Sequence, residues 1–111
     1  MNTLQGQFSI KLGKKTHKAS LSLNALRLMT IAFGVKLSEI DKWMNDDPLT
    51  AIPAFAYYGI KNEAARSGKD SGLPDFETFC AQVLADEDQL NLMVEAVTGA
   101  LGGADDVKGN S

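Results

Sequence analysis

The chain is poor in the residues that most often carry chemistry: one cysteine, one histidine and one tryptophan in 111 residues. A single cysteine, Cys80, excludes an internal disulfide. Its setting, Phe79-Cys80-Ala81, reads as a small buried hydrophobe on a helix. One His and one Cys leave a zinc site dependent on carboxylates, an uncommon donor set, and no metal or other cofactor is expected. The chain also lacks any run near the ~20 apolar residues a membrane helix requires. Residues 1–5 lack the basic-then-apolar order of a secretory leader, so a cytoplasmic location without membrane association is expected.

What is present is enough for one hydrophobic core: 44% hydrophobic residues, 23% charged and a mean hydropathy of −0.12. These values read as globular rather than disordered. Net charge is −3, unevenly placed. Residues 1–42 hold seven Lys/Arg against two Asp/Glu, and residues 43–111 hold four against twelve. The split suits electrostatic steering of a partner or head-to-tail association of copies. A pI near 5.0 disfavours nucleic-acid binding, which needs concentrated positive charge.

Alternation of Phe8, Ile10 and Leu12 with polar residues predicts a strand, and Gly13-Lys14-Lys15 a turn. A return strand with Ala19 and Leu21 on one face completes a hairpin at about 7–22. Its lysines, Lys14, Lys15 and Lys18, protect the sheet edge or guide an acidic partner. A helix follows to Phe33, capped by Ser22 or Asn24 and closed by Gly34. Its wide apolar arc, with Ala25, Leu28, Met29 and Ala32 on one face, marks it as the central helix. A short helix starts at Ser38, carrying Leu37, Ile40, Trp43 and Met44. Asp47-Pro48 opens the next, which runs to about Arg66 with Leu49, Ile52, Ala56 and Ile60 inward. Pro53 either delays its start to Ala51 or bends it. Tyr58 faces outward beside Lys61 and Asn62.

Residues 67–74 form a loop, and Asp75 to Ala85 a compact helix. The last helix starts at Asp86, paired with Gln89 in a capping arrangement. It carries the stripe Leu90, Val94, Val97, Leu101 and stops at Gly102-Gly103. The expectation is thus mainly α with a small N-terminal hairpin (α+β). A compact bundle of about five helices lies in one domain at 1–103, with its helices between about 24 and 101 and a disordered tail at 104–111.

Catalytic spacings are missing. There is neither GxGxxG nor GxxxxGK[ST], and no acidic run has calcium-loop spacing. The pairs and triplets Asp46-Asp47, Asp86-Glu87-Asp88 and Asp105-Asp106 fall at helix starts or in the tail, where capping and solvation account for them. No enzyme is expected.

The order of segments resembles one known family. A lysine-bearing hairpin, then LNALRLMTIAFG, SEIDKWMN and DDPLTAIPAFAYYGIKNEA, is similar to the tail assembly chaperones of long-tailed phages and gene transfer agents. The residues that carry the similarity are Leu26, Phe33, Gly34, Asp47, Pro48, Leu49, Ile52, Pro53, Phe55, Tyr58, Gly59 and Ile60. The resemblance implies a non-catalytic protein of the host cytoplasm. Such a protein binds tape-measure protein or tail-tube subunits during tail assembly. Trp43, Phe55 and Tyr58 are then the expected partner contacts, with Lys14, Lys15 and Lys18 as electrostatic guides. Two other readings fit the same residues: a head–tail connector or tail completion protein of the virion, and a small nucleic-acid-binding regulator.

Overall fold

The computed structural model describes the backbone of residues 6–12 and 15–109, and the side chains of 7–11 and 15–99. Strand β1 (Gly6–Leu12) pairs antiparallel with β2 (Lys15–Leu21), setting Phe8 opposite Ala19 and Ile10 opposite His17. This register places the apolar residues of both strands on one face, and Ile10, Ala19 and Leu21 are buried there. Lys14 and the rest of the turn at 13–14 lie outside the described residues.

Five helices follow: α1 (Leu23–Phe33), α2 (Ile40–Asp46), α3 (Pro48–Arg66), α4 (Phe76–Leu84) and α5 (Glu87–Gly109). A single 3₁₀ turn at Leu37–Glu39 leads into α2. The protein is mainly α with a small N-terminal hairpin, as the sequence pattern predicts. Local chemistry sets the breaks. Gly34 closes α1 at φ 67°, and its N–H donates to Thr30 O at 2.9 Å; only glycine adopts that backbone at little cost. Asp75 opens α4 by accepting from the Thr78 hydroxyl at 2.7 Å and the Thr78 N–H at 3.2 Å. Those bonds favour the ionised carboxylate and hold it below its usual pKa.

The hairpin lies on two helices, with β2 against α3 and β1 against α5; α1, α2 and α4 pack around α3. The centre of the fold is therefore α3, not α1. Small residues explain why. Ala51, Ala54, Ala56 and Gly59 are all buried on α3, so neighbours can approach its axis from several sides. At Gly59 a Cβ would stand 3.4 Å from Ala19 Cβ and 3.5 Å from Phe8 Cζ. On α1 only Ala25, Leu26 and Met29 are buried. Leu28 is half-buried and Ala32 exposed, so the face expected to pack is rotated toward Leu26.

Pro53 neither starts nor ends α3, which is continuous from Pro48 to Arg66. The amide hydrogen it lacks would bond the carbonyl of Leu49, an exposed residue in the first turn, and the buried ring adds to the core instead. Leu49 is thus not part of the inner stripe. Asp47 and Ser22 occupy cap positions without side-chain caps. Asp86 does cap α5, accepting from the N–H groups of Asp88 at 2.9 Å and Gln89 at 3.4 Å. The Gln89 side chain does not return the bond to Asp86; its amide donates to the Lys11 carbonyl of β1. Among the described side chains of α5, Met93 and Val97 are buried, so the stripe there centres on Met93, with Leu90 and Val94 at its margin; the side chain of Leu101, expected in the same stripe, lies outside the described residues. Finally, α5 passes through Gly102-Gly103 to Gly109, including six residues expected to be disordered. Glycine weakens a helix by about 1 kcal/mol relative to alanine, but it ends one only where its backbone turns left-handed.

Candidate functional site

Six aromatic rings from four helices form a continuous seam. Phe33, at the end of α1, lies 5.1 Å from Trp43 of α2, 5.1 Å from Phe76 of α4 and 5.9 Å from Tyr58 of α3. Tyr57 extends the seam to Phe79 at 5.1 Å, and most of these pairs are edge-to-face. That geometry sets a positive ring edge against a negative face and is worth about 0.5–1.5 kcal/mol per pair beyond burial. The Tyr57 hydroxyl donates to the Pro74 carbonyl at 2.6 Å, pinning the loop before α4, and Lys61 Nζ sits 5.1 Å from the Tyr57 ring centre.

Of the residues expected to contact a partner, Trp43 and Tyr58 meet in this seam, each half-buried and bridged by Phe33. Burial raises the Tyr58 phenol above its usual pKa, and the adjacent Tyr57 adds to the shift, so the ring is neutral at physiological pH. Phe55 is not on that surface. It is 1% exposed and belongs to the core cluster with Ile52, Ala56 and Ile60. Lys15 and Lys18 are exposed on β2, a strand that packs on α3 and α1, and Lys18 borders a cleft with Ile60, Glu63 and Asp70.

Leu37 and Leu49, at either end of α2, are each 58% exposed. The sequence pattern set Leu49 on the inner stripe of α3 and Leu37 on the face of Ile40 and Met44; half-buried Trp43 lies between them in the chain.

Two clefts flank α3. One, of about 500 Å³, is bordered by Gln7, Ser20, Ser22 and Arg66. The other, of about 410 Å³, brings His17, Lys18 and Lys69 alongside Glu63 and Asp70. Burial, then Lys15, lowers the His17 pKa. Burial, then Glu77, raises that of the Cys80 thiol, which suppresses the nucleophilic thiolate. Among the described residues, no three of His, Cys, Asp and Glu converge as metal ligands, and no helix is long and apolar enough to cross a membrane.

Sequence reasoning missed Asn62. It stands on α3 where a polar outer face was expected, yet it is 2% exposed. Its amide donates to Ser20 Oγ at 2.9 Å and Ser22 Oγ at 2.8 Å, and its oxygen accepts from Asn24 Nδ2 at 2.9 Å. Nothing in the helical periodicity marked it; the signal was the serine-rich strand end, Ser20-Leu21-Ser22, whose hydroxyls both accept from the Asn62 amide. No protein-family model, curated protein or solved structure matches this chain.

Proposed function

We propose that this protein is a tail assembly chaperone, a non-catalytic binder that keeps helical segments of a tape-measure protein or tail-tube subunits soluble while a phage tail is built. The observation that carries this reading is the pair of exposed leucines that flank α2 in the chain, Leu37 and Leu49, with half-buried Trp43 between them in the sequence. The segment order described above, hairpin and then five helices, supports it further.

Binding proceeds by capture of a helix: the apolar stripe of the partner covers Leu37, Leu49 and the rims of Trp43 and Tyr58. The ring seam already fixes both aromatic side chains, so little rotamer freedom is lost on binding. Two exposed leucines are a modest apolar surface that suits release of the client, whereas a large patch would itself aggregate. Lys14, Lys15 and Lys18 steer acidic segments toward the molecule, an effect that weakens as salt screens it.

The test is co-expression with a phage tape-measure protein, scored by soluble complex. Leu37→Asp and Leu49→Asp change exposed positions and should reduce the complex while leaving the fold intact. A partner that stays equally insoluble with and without this protein would overturn the reading. So would abundant copies of this chain in finished particles, which would make it a structural component.

A further inference from the structure

Among the described residues, two outward helix faces of opposite charge have no covering element. On α1, Leu23 (63% exposed), Arg27 and Ile31 (67%) follow one another at spacings of four, with exposed Ala32 beside them. Arg27 Nε donates to Asn24 Oδ1 at 3.1 Å, and the guanidinium has no carboxylate partner among the described residues. On α5, Asp88, Leu92 (52%), Glu95 and Gly99 form an exposed stripe at i, i+4, i+7 and i+11. The chain has no Lys or Arg between Lys69 and Lys108, so this stripe has no cation on α4 or on α5 before Lys108 to offset it.

We propose that copies of this chain associate head to tail, the outer face of α1 in one copy packing on the outer face of α5 in the next. A single exposed leucine is ordinary. What distinguishes these faces is that each supplies what the other lacks. At 1.5 Å rise per residue, Leu23, Arg27 and Ile31 repeat about every 6 Å, and Asp88, Leu92 and Glu95 about every 5–6 Å. One stripe reads apolar–cation–apolar and the other anion–apolar–anion. Offset by one turn, Arg27 meets Asp88 or Glu95 while Leu92 meets Leu23 or Ile31. Gly99 leaves a flat place for the second apolar side chain, since nothing lies within 4 Å of where its Cβ would be.

The occupant of each face is a second copy because the chain itself carries the complementary pattern and charge. The contact is heterologous, so every added copy still offers one free α1 face and one free α5 face, and growth continues beyond a dimer into chains or a ring. It uses other residues than Leu37, Trp43 and Leu49 and does not rest on the chaperone reading.

Sedimentation velocity of the full chain, from micromolar to millimolar concentration at low and high salt, tests the proposal. A series of species larger than a dimer should form with concentration and recede with salt. Arg27→Glu alone, and Asp88→Lys/Glu95→Lys together, place like charges opposite one another and should each weaken association by at least about tenfold. All three positions are exposed, and circular dichroism checks that the fold is kept. An equimolar mixture of the two variants should associate again, since each now complements the other. A wild-type chain that stays monomeric, variants that associate like wild type, or a mixture that fails to recover would each overturn the proposal.

Discussion

Removing the Asn62 side chain is the sharpest test of how the hairpin is held to the helices. Its amide satisfies Ser20 Oγ, a hydroxyl on a residue only 3% exposed, and approaches the Ser20 carbonyl more weakly at 3.5 Å. It also bonds Ser22 Oγ and Asn24 Nδ2, at the entrance to α1. One side chain thus joins α3, β2 and α1. In Asn62→Ala the Ser22 and Asn24 groups, being partly exposed, can turn to water, whereas those of Ser20 cannot. An unsatisfied buried polar group costs about 1–3 kcal/mol, and a small cavity adds to it. The expected loss is about 2–4 kcal/mol, or a fall of roughly 10–20 °C in Tm for a domain of this size.

Two further variants separate hydrogen bonding from packing. Asn62→Leu keeps nearly the same volume but donates nothing, so it should lose almost as much as Asn62→Ala. Adding Ser20→Ala removes the stranded hydroxyl and should restore about 1 kcal/mol, because deleting both partners of a buried bond costs far less than deleting one. Urea unfolding of the four proteins, with m-values compared, provides the measurement. If Asn62→Leu were as stable as wild type, the network would contribute nothing net and the argument would fail.

Three other outcomes follow from the same packing. Gly59→Ala should be tolerated or mildly stabilising, by up to about 1 kcal/mol, since the added methyl meets ordinary contacts and gains helix propensity; Gly59→Val should cost about 1–3 kcal/mol by driving into Ala19 and Phe8, and a reversed order in thermal melts would show α3 and β2 further apart. Because burial and then Lys15 lower the folded-state pKa of His17 from 6.5, the unfolded chain binds a proton more readily, so this contribution to stability is complete above pH 6.5 and is lost as pH falls through that value. His17→Gln should remove that part of the pH dependence, and a His17 NMR titration midpoint at or above 6.5 would contradict the assignment. Cys80, whose thiol pKa is raised by burial and Glu77, should react with iodoacetamide several-fold more slowly than a free thiol at pH 8, and a rate equal to that of free cysteine would refute its enclosure.

Element boundaries were legible wherever one residue type settles the backbone: Gly34 at the end of α1, Pro48 at the start of α3 and Asp75 at the start of α4. These are local decisions that a short stretch of sequence contains. Gly102-Gly103 was misread for the reverse reason, since a helical glycine carries a penalty rather than an instruction to stop. Burial was legible less often, because it depends on what arrives from elsewhere. Asn62 looked like a surface residue until a serine-rich strand end was placed against it. Gln89 looked like half of a cap until the Lys11 carbonyl came within reach.

The identity of the central helix shows why apolar content alone misleads. Leucine-rich α1 is the more hydrophobic helix, but its bulky side chains leave room for neighbours on one side only, and Leu23 and Ile31 remain in solvent. Helix α3 alternates large side chains with Ala51, Ala54, Ala56 and Gly59, so partners can close on it from several directions. That difference also sorts the aromatic residues. Phe55 points into the space those small residues open, while Tyr58, one turn on, reaches the junction where Phe33, Trp43 and Phe76 converge. Half-buried rings therefore gather at the margin of the central helix, where small residues give way to aromatic ones. Enlarging Ala54 or Ala56 should consequently disturb the Trp43 environment, read by its fluorescence, before it unfolds the chain, whereas a chain that unfolds with the Trp43 signal unchanged until then would separate the rim from the core.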